Sequence, residues 1–563
     1  MLFPDIKREA CHAAVSSLAA LAVCFVIIAC DAVIALHAGS VAFAADKIRD
    51  RAERALREGE FETAEKLFRE KLQKDERDTR ARLGLSYTLL KQRNLQGAFD
   101  EATRVATAEP TSARARSLIG QALLAVGDFR AAVEEFRIAL SLRETEALAI
   151  AGIAMIDFYE NRTNASLRGL RRAVSLDQKE PDFVFSLAQA AARFERYAEA
   201  ADAYERFLRV APRTDEDRRA RIRGLIDFLR YLSTQGQLYR TTGTSRSVVP
   251  FELVNNRPIL RVRLGNTKES LRFVLDTGSG MCVMSEQAVT RLGVRPVARG
   301  GMARAVGGAG RFEIVYGFLP FLQLGDTNGA RVENVPIYVR RFYNDQEPID
   351  GYIGLALLSK YLTSIDYAAR TITLLREAER PPVDASLTTV PSVVTTAAGA
   401  TTPVAPASIE LPIRTTTSGF WSGEVHLPGI AKPLSFIIDT GASISVVSED
   451  LAAREEMTRF AQSSRLRVFG AAGVAENVQM LILPRVVMAG TERVNVPAVV
   501  LDLDQINETS GFEQTGIIGG NILRHFRVTF DFQRTVVRLE PLTAPAKQTN
   551  AVKREPGESA TQP

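Results

Sequence analysis

Leu271-Arg272-Phe273-Val274-Leu275-Asp276-Thr277-Gly278 and Leu434-Ser435-Phe436-Ile437-Ile438-Asp439-Thr440-Gly441 are two copies of one pattern, a short apolar run ending in Asp-Thr-Gly. Such a run reads as a buried strand, which delivers its Asp to the floor of a cleft. The Gly has no side chain and lets a second backbone come close. The Thr hydroxyl can hydrogen-bond across to the facing loop and hold both carboxyls in place. Two carboxyl groups about 3 Å apart cannot both ionise, so such a pair shares one proton. One member can then take a proton from water while the other donates to a carbonyl oxygen, which is peptide hydrolysis without a covalent intermediate.

A single copy would read as a strand and an ordinary turn with an Asx-type hydrogen bond. The residues downstream of each copy change that reading. Asp276 and Asp439 are 163 positions apart, and Val306-Gly307-Gly308-Ala309-Gly310 recurs at the same offset as Phe469-Gly470-Ala471-Ala472-Gly473. Further on, Gly351-Tyr352-Ile353-Gly354 matches Gly516-Ile517-Ile518-Gly519, and Ser364-Ile365-Asp366-Tyr367 matches Thr529-Phe530-Asp531-Phe532, both at an offset of 165. Four motifs in one order define an internal duplication.

These motifs resemble those of the retropepsin-like aspartic proteases, whose lobe combines Asp-Thr-Gly, a Gly-rich flap and an apolar-apolar-Gly motif. The resemblance covers about Val248–Glu377 and Ser408–Pro541. It implies a small closed β-barrel per lobe, with Asp276 and Asp439 as catalytic dyad and Thr277 and Thr440 as the cross-loop pair. Gly278 and Gly441 complete the loops, and the segments of Gly307-Gly308 and Gly470-Ala471 match the flaps that close over an extended polypeptide substrate. It implies no cofactor. Two lobes in one chain look like a single-chain pseudodimer, with intermolecular pairing of lobes as the variant. The pepsin branch fits less well, since neither lobe has the larger insertions and neither Gly-rich segment contains Tyr.

The lobes differ after the tripeptide. Lobe 1 reads Ser279-Gly280-Met281 where lobe 2 reads Ala442-Ser443-Ile444, so Gly280 makes a more mobile loop or fits a tighter neighbour. Lobe 2 has Gly520-Asn521 where lobe 1 has Leu355-Ala356, which predicts cleft halves of different polarity and an asymmetric substrate preference.

With 563 residues, 46% hydrophobic and 24% charged, the chain is an ordinary multidomain globular protein. A net charge of +5 on so long a chain, without a basic, aromatic-interleaved stripe, does not indicate nucleic-acid binding, and no nucleic-acid partner is expected. Of four His and four Cys, His12, His37, Cys11, Cys24 and Cys30 fall near the N-terminus. That leaves His426, His525 and Cys282, too few for a His-built metal site or a Cys/His nucleophile pair. Cys282 reads as a small buried hydrophobe.

Residues 1–44 read as an export signal or membrane anchor: Lys7, Arg8 and Glu9, an apolar core from Ala13 to Ala29, and a cleavage pattern at Ala42-Phe43-Ala44. Cleavage near Ala44 is favoured over an uncleaved anchor and over lipidation of Cys30 in Ile27-Ile28-Ala29-Cys30. Each places the body of the protein, periplasmic or membrane-anchored, outside the cytoplasm.

Residues 46–235 repeat every 34 positions. Phe61, Leu95, Phe129, Thr163 and Tyr197 form one series, Ala64, Ala98, Ala132, Ser166 and Ala200 a second, and Phe68, Ala102, Phe136, Leu170 and Tyr204 a third. The pattern resembles tetratricopeptide repeats, which predicts an all-α solenoid of five units with a concave groove and a capping helix over about 215–232. The fourth unit, with Thr163 and Ser166, is expected to be irregular. The groove would dock a protein partner, or the array would be a spacer. Lobe 1 is read as 248–378, a Pro/Thr/Ala linker as 379–407, lobe 2 as 408–542 and a disordered tail as 543–563. The reading is an exported aspartic endopeptidase; the alternative is a catalytically silent peptide-binding or scaffold protein acting through the repeats.

Overall fold

The computed structural model describes residues 47–376 and 409–542, apart from 266, 268, 305–310, 326–328, 344–347 and 472. The N-terminal segment with Cys30, the linker, the tail, and Gly307 and Gly308 of the first Gly-rich segment lie outside the described residues. No helix among the described residues is long and apolar enough to cross a membrane.

Among the described residues, eleven helices precede the β region. They are α1 (47–58), α2 (Phe61–Lys74), α3 (Thr79–Lys91), α4 (Leu95–Ala108), α5 (Ala113–Ala125), α6 (Phe129–Leu142), α7 (Ala147–Tyr159), α8 (Thr163–Leu176), α9 (Pro181–Arg193), α10 (Tyr197–Val210) and α11 (Glu216–Ser233). Asp78, Asn94, Ser112, Asp128 and Asp215 each cap a helix by accepting from a backbone N–H in its first turn, worth about 1 kcal/mol apiece. The turn inside each pair closes on a left-handed residue, and these are Gly59, Arg93, Gly127, Asn161 and Glu195, again 34 apart.

The Ala64 and Phe68 series are buried throughout, so small residues admit the bulky ones of the next helix. The Phe61 series is less buried: only Phe129 is buried, and the others are half-buried beside the turns. The fourth unit is regular, a correction to the sequence reading. α7 and α8 keep the lengths of the other pairs, 13 and 14 residues. The departure stays local to Ser166, fully buried, whose hydroxyl has no partner among the described residues, at a cost of about 1–3 kcal/mol. The inner face of the solenoid is bridged where Lys91 of α3 pairs with Asp182 and Glu180 at the start of α9.

Lobe 1 runs β1 (Arg240–Thr242), β2 (Arg246–Val254), β3 (Arg257–Leu264), β4 (Leu271–Leu275), β5 (Cys282–Ser285), α12 (Glu286–Leu292), β6 (Pro296–Arg304), β7 (Arg311–Leu324), β8 (Ala330–Arg340), β9 (Gly351–Ile353), α13 (Leu355–Leu358), β10 (Tyr361–Asp366) and β11 (Thr371–Arg376). Lobe 2 runs β12 (Ile409–Thr415), β13 (Trp421–His426), β14 (Leu434–Ile438), β15 (Ser445–Ser448), α14 (Glu449–Arg454), β16 (Ala461–Gly470), β17 (Gly473–Met488), β18 (Thr491–Leu501), α15 (Asp504–Ser510), β19 (Gly516–Ile518), α16 (Gly520–Leu523), β20 (Phe526–Asp531) and β21 (Val536–Pro541).

Both lobes share one topology. β4 lies parallel to β9 and β5 parallel to β8, as β14 lies parallel to β19 and β15 to β18. The lobes join in one antiparallel sheet ordered β2, β11, β10, β20, β21, β12, three strands from each. At its centre Ser364 faces Thr529, with the Thr529 hydroxyl donating to Ser364 Oγ at 2.9 Å, and Arg527 bonds Asp366 at 2.7 Å. The lobes therefore pair within the chain, through ladder bonds and a continuous apolar core.

The repeats pack directly on the lobes. Their turn residues form the contact row. Arg93 donates to the carbonyl of Asn507 at 3.0 Å, Asn161 to that of Phe532 at 3.5 Å, and Lys360 to the Glu195 carboxylate at 2.6 Å. Between them Phe512 of lobe 2, 1% exposed, enters the helical core edge-on to Phe129 and Tyr159, with ring centroids 4.9 and 5.1 Å away. α11 lies on the β6–β7 hairpin of lobe 1. A Cβ on Gly224 would stand 2.0 Å from the Arg299 carbonyl oxygen, so helix and strand backbones touch, and Phe228 stacks on Tyr316 at 4.3 Å.

Candidate active site

Each Asp-Thr-Gly loop leaves a buried central strand, β4 or β14, and turns back beside β9 or β19. The backbone N–H of Asp276 donates to Ile353 O at 3.0 Å and that of Asp439 to Ile518 O at 2.9 Å, so the apolar-apolar-Gly motif anchors the Asp backbone. The sheet joining the lobes brings the loops face to face. Thr277 Oγ1 donates to Ile438 O at 2.8 Å and accepts from Thr440 N at 3.0 Å. Thr440 Oγ1 donates to Leu275 O at 2.7 Å and accepts from Thr277 N at 3.1 Å. Both Thr are fully buried. Four reciprocal bonds thus clamp the loops with no unpaired group.

The clamp sets the two carboxyl groups side by side around one N–H. Gly278 N–H points at both, 2.9 Å from Asp276 Oδ1 and 3.1 Å from Asp439 Oδ1. Gly is required there: a Cβ on Gly278 would lie 2.2 Å from Asp439 Oδ2, and one on Gly441 would lie 2.4 Å from Asp276 Oδ1.

The two carboxyls are not equivalent. Asp439 Oδ1 also accepts from Gly441 N at 2.7 Å and Ala442 N at 3.2 Å, whereas Ser279 N in lobe 1 turns to the Asp276 backbone oxygen. Burial raises both groups. For Asp276 the charge of Asp439 and the bond to it add to the rise and carry it well above the usual carboxylate range, with the Arg340 cation and Gly278 N–H opposing. For Asp439 the bonds from Asp276, Gly441, Ala442 and Gly278 all pull back down. The N–H donors therefore stabilise negative charge on Asp439 more than on Asp276.

The loop differences resolve physically. A Cβ on Gly280 would lie 2.8 Å from Ser418 O, so Gly280 fits a tighter neighbour. Asn521 turns away from the cleft: its Oδ1 accepts from Ser445 N and Oγ at 2.9 Å each, and its Nδ2 donates to Pro497 O at 2.8 Å. The expected polarity difference from Gly520-Asn521 is thus corrected, since this amide braces lobe 2. Cys282 is fully buried, and burial pushes its thiol up to about 12.

A cavity of ≈ 910 Å³ reaches the dyad at Asp276 and Gly278, at the upper end of the range for small-ligand sites. Ala471 at the tip of the second Gly-rich hairpin lines it, as do Phe312 and Ile314 of the first hairpin. Gly470 ends β16, paired with Gly473. The sequence reading missed Arg340, which lines this cavity and whose guanidinium lies 5.7 Å from the Tyr352 ring. A cation at the end of β8 has no motif to mark it.

Residues 260–357 and 423–522 match the family model described as aspartyl protease, and residues 55–121 and 152–215 match two tetratricopeptide repeat models. The chain is a pair of tandem retropepsin-like aspartyl protease lobes fused to N-terminal tetratricopeptide repeats. Among solved structures it is similar to a thermophilic TPR protein of Thermus thermophilus, at 18% identity over 32% of this chain and 98% of that one, with a TM-score of 0.29. It is also similar to MamA of Desulfovibrio magneticus, at 19% identity over 30% and 94%, TM-score 0.22. A third likeness is to pilF of Pseudomonas aeruginosa, at 14% over 34% and 87%, TM-score 0.26. No curated protein matches the chain.

Proposed function

We propose that this chain is an aspartic endopeptidase whose one active site lies between its lobes. The observation that carries the reading is a pair of carboxyls, one per lobe, both accepting from the same Gly278 N–H beside a cavity. In this mechanism Asp439, ionised, takes a proton from a water molecule as its oxygen attacks the scissile carbonyl carbon. Asp276, protonated, donates to the carbonyl oxygen. The tetrahedral diol then collapses with proton transfer to the leaving nitrogen, and the C–N bond breaks.

The reading includes export, supported by the apolar stretch Ala13–Ala29 and Ala42-Phe43-Ala44, so that the protease acts outside the cytoplasm. The repeats take part in holding substrate or partner proteins. The bridged inner face favours the surfaces beside the lobes over a peptide threaded through the groove.

The test is separate replacement of each Asp by Asn in the purified chain, with peptide cleavage as readout. Each variant should lose at least about 10³-fold in kcat/KM. Full activity in either one refutes a shared dyad. A pepstatin-like inhibitor, whose hydroxyl stands where the attacking oxygen sits, should bind the intact protein and block cleavage.

A further inference from the structure

The cavity beside Asp276 continues past the protease lobes. Its far wall is made by the repeats, from the end of α9, from α10 and from α11. Arg193, the last residue of α9, lines this end. The acid whose field reaches it, Glu195, is already bonded to Lys360 at 2.6 Å, and among the described residues no carboxylate stands within ion-pair distance of Arg193. Tyr197 and Tyr239, near enough to act electrostatically on the Arg193 charge, line the same end, and neither hydroxyl makes a hydrogen bond among the described residues.

Arg193 is half-buried and its guanidinium is unpaired among the described residues, where packing alone would be better served by an apolar side chain. The wall has an excess of positive charge. Its acids are Asp276, which shares the dyad's proton, and Glu195, against Arg193, Arg340 and Lys360. A planar guanidinium flanked by hydroxyl donors matches a carboxylate, which it can bind through two parallel N–H bonds.

We propose that Arg193, with the hydroxyls of Tyr197 and Tyr239, is a subsite for a carboxylate of the peptide substrate, so that the repeats supply one specificity pocket of the protease cleft. The proposal rests on the peptidase reading above. A free peptide C-terminus and an Asp or Glu side chain offer the same group, and the test separates them.

The full-length Asp439→Asn protein is titrated with fluorescent degenerate peptides, and binding is read by anisotropy. One matched pair differs in a free C-terminal carboxylate against an amide, the other in internal Asp and Glu against Asn and Gln. The acid member of one pair should bind about 30-fold more tightly, the scale of a buried charge pair. Adding Arg193→Gln should bring it down to its neutral partner, and Arg193→Lys should restore part of the preference. Circular dichroism checks that both variants keep their helices. The responding pair identifies the carboxylate. Equal affinity within both pairs, no binding, or a preference that survives Arg193→Gln overturns the subsite. Failure of the peptidase reading is distinct: the preference would persist while the protein with both Asp intact cleaves no peptide.

Discussion

Replacing Thr440 with Val keeps the shape of the side chain and removes one hydroxyl. That hydroxyl donates to Leu275 O at 2.7 Å and accepts from Thr277 N at 3.1 Å, and all three residues are fully buried. Thr440→Val leaves a carbonyl and an N–H unpaired in the interior. At about 1–3 kcal/mol each, the loss is roughly 2–6 kcal/mol. Thr440→Ser keeps both bonds and gives up a methyl group, about 1 kcal/mol. The chain carries its own reporter for urea unfolding: Trp421, its one Trp, is 3% exposed in lobe 2, with its ring 4.2 Å from Phe532. The expected order of stability is wild type, then Ser, then Val. Equal losses in Ser and Val would assign the effect to the methyl, and a Val variant as stable as wild type would refute the clamp. Cleavage activity should fall with Val as well, because the dyad tolerates only about 0.5 Å of displacement.

Gly278→Ala would put a Cβ 2.2 Å from Asp439 Oδ2, and kcat/KM should fall by about 100-fold or more with the fold intact by circular dichroism. The pH profile of kcat/KM should be bell-shaped, since activity needs one proton on the pair. Arg340→Met removes a cation that lowers the Asp276 pKa, so its basic limb should move to higher pH; a limb that stays or moves down refutes that role. Because the folded-state pKa of Asp276 is raised, its contribution to stability is complete below the unfolded value near 3.9 and is lost as pH rises through the folded one. Asp276→Asn should therefore flatten the alkaline decline in unfolding free energy. Phe512→Ala should cost about 3–5 kcal/mol and raise hydrogen exchange at the ends of α5 and α7 facing lobe 2. If exchange there is unchanged, the contact does not hold the repeats to lobe 2.

The duplicated strand, loop and closing-strand motifs were legible because each rests on local chemistry. An apolar run buries, Thr pairs with backbone, and Gly admits a facing carboxyl. The 34-residue period was equally legible, since one helical pair repeats its contacts. What the sequence misjudged were environments. Ser166 looked like a break in the fourth unit, yet helix packing on both sides keeps the unit regular. Asn521 looked like a cleft residue, yet three hydrogen bonds draw it into lobe 2. Nor does the period show that the Phe61 position is buried only at Phe129, where Phe512 covers it. Arg340 and Arg193 carry no motif, and nothing local separates a cavity-facing Arg from a solvated one.

The order of residues alone specifies two matching Asp-Thr-Gly lobes behind a five-unit helical repeat, because period and motif order depend on neighbours close in the chain. That the lobes pair within one molecule, that the N–H donors gather on Asp439 and that the repeats wall the cavity emerge only from the folded chain. Those outcomes depend on contacts between residues far apart in the chain, such as Gly278 with Asp439, Asn161 with Phe532 and Lys360 with Glu195. No periodicity in a single chain encodes which such surfaces will meet.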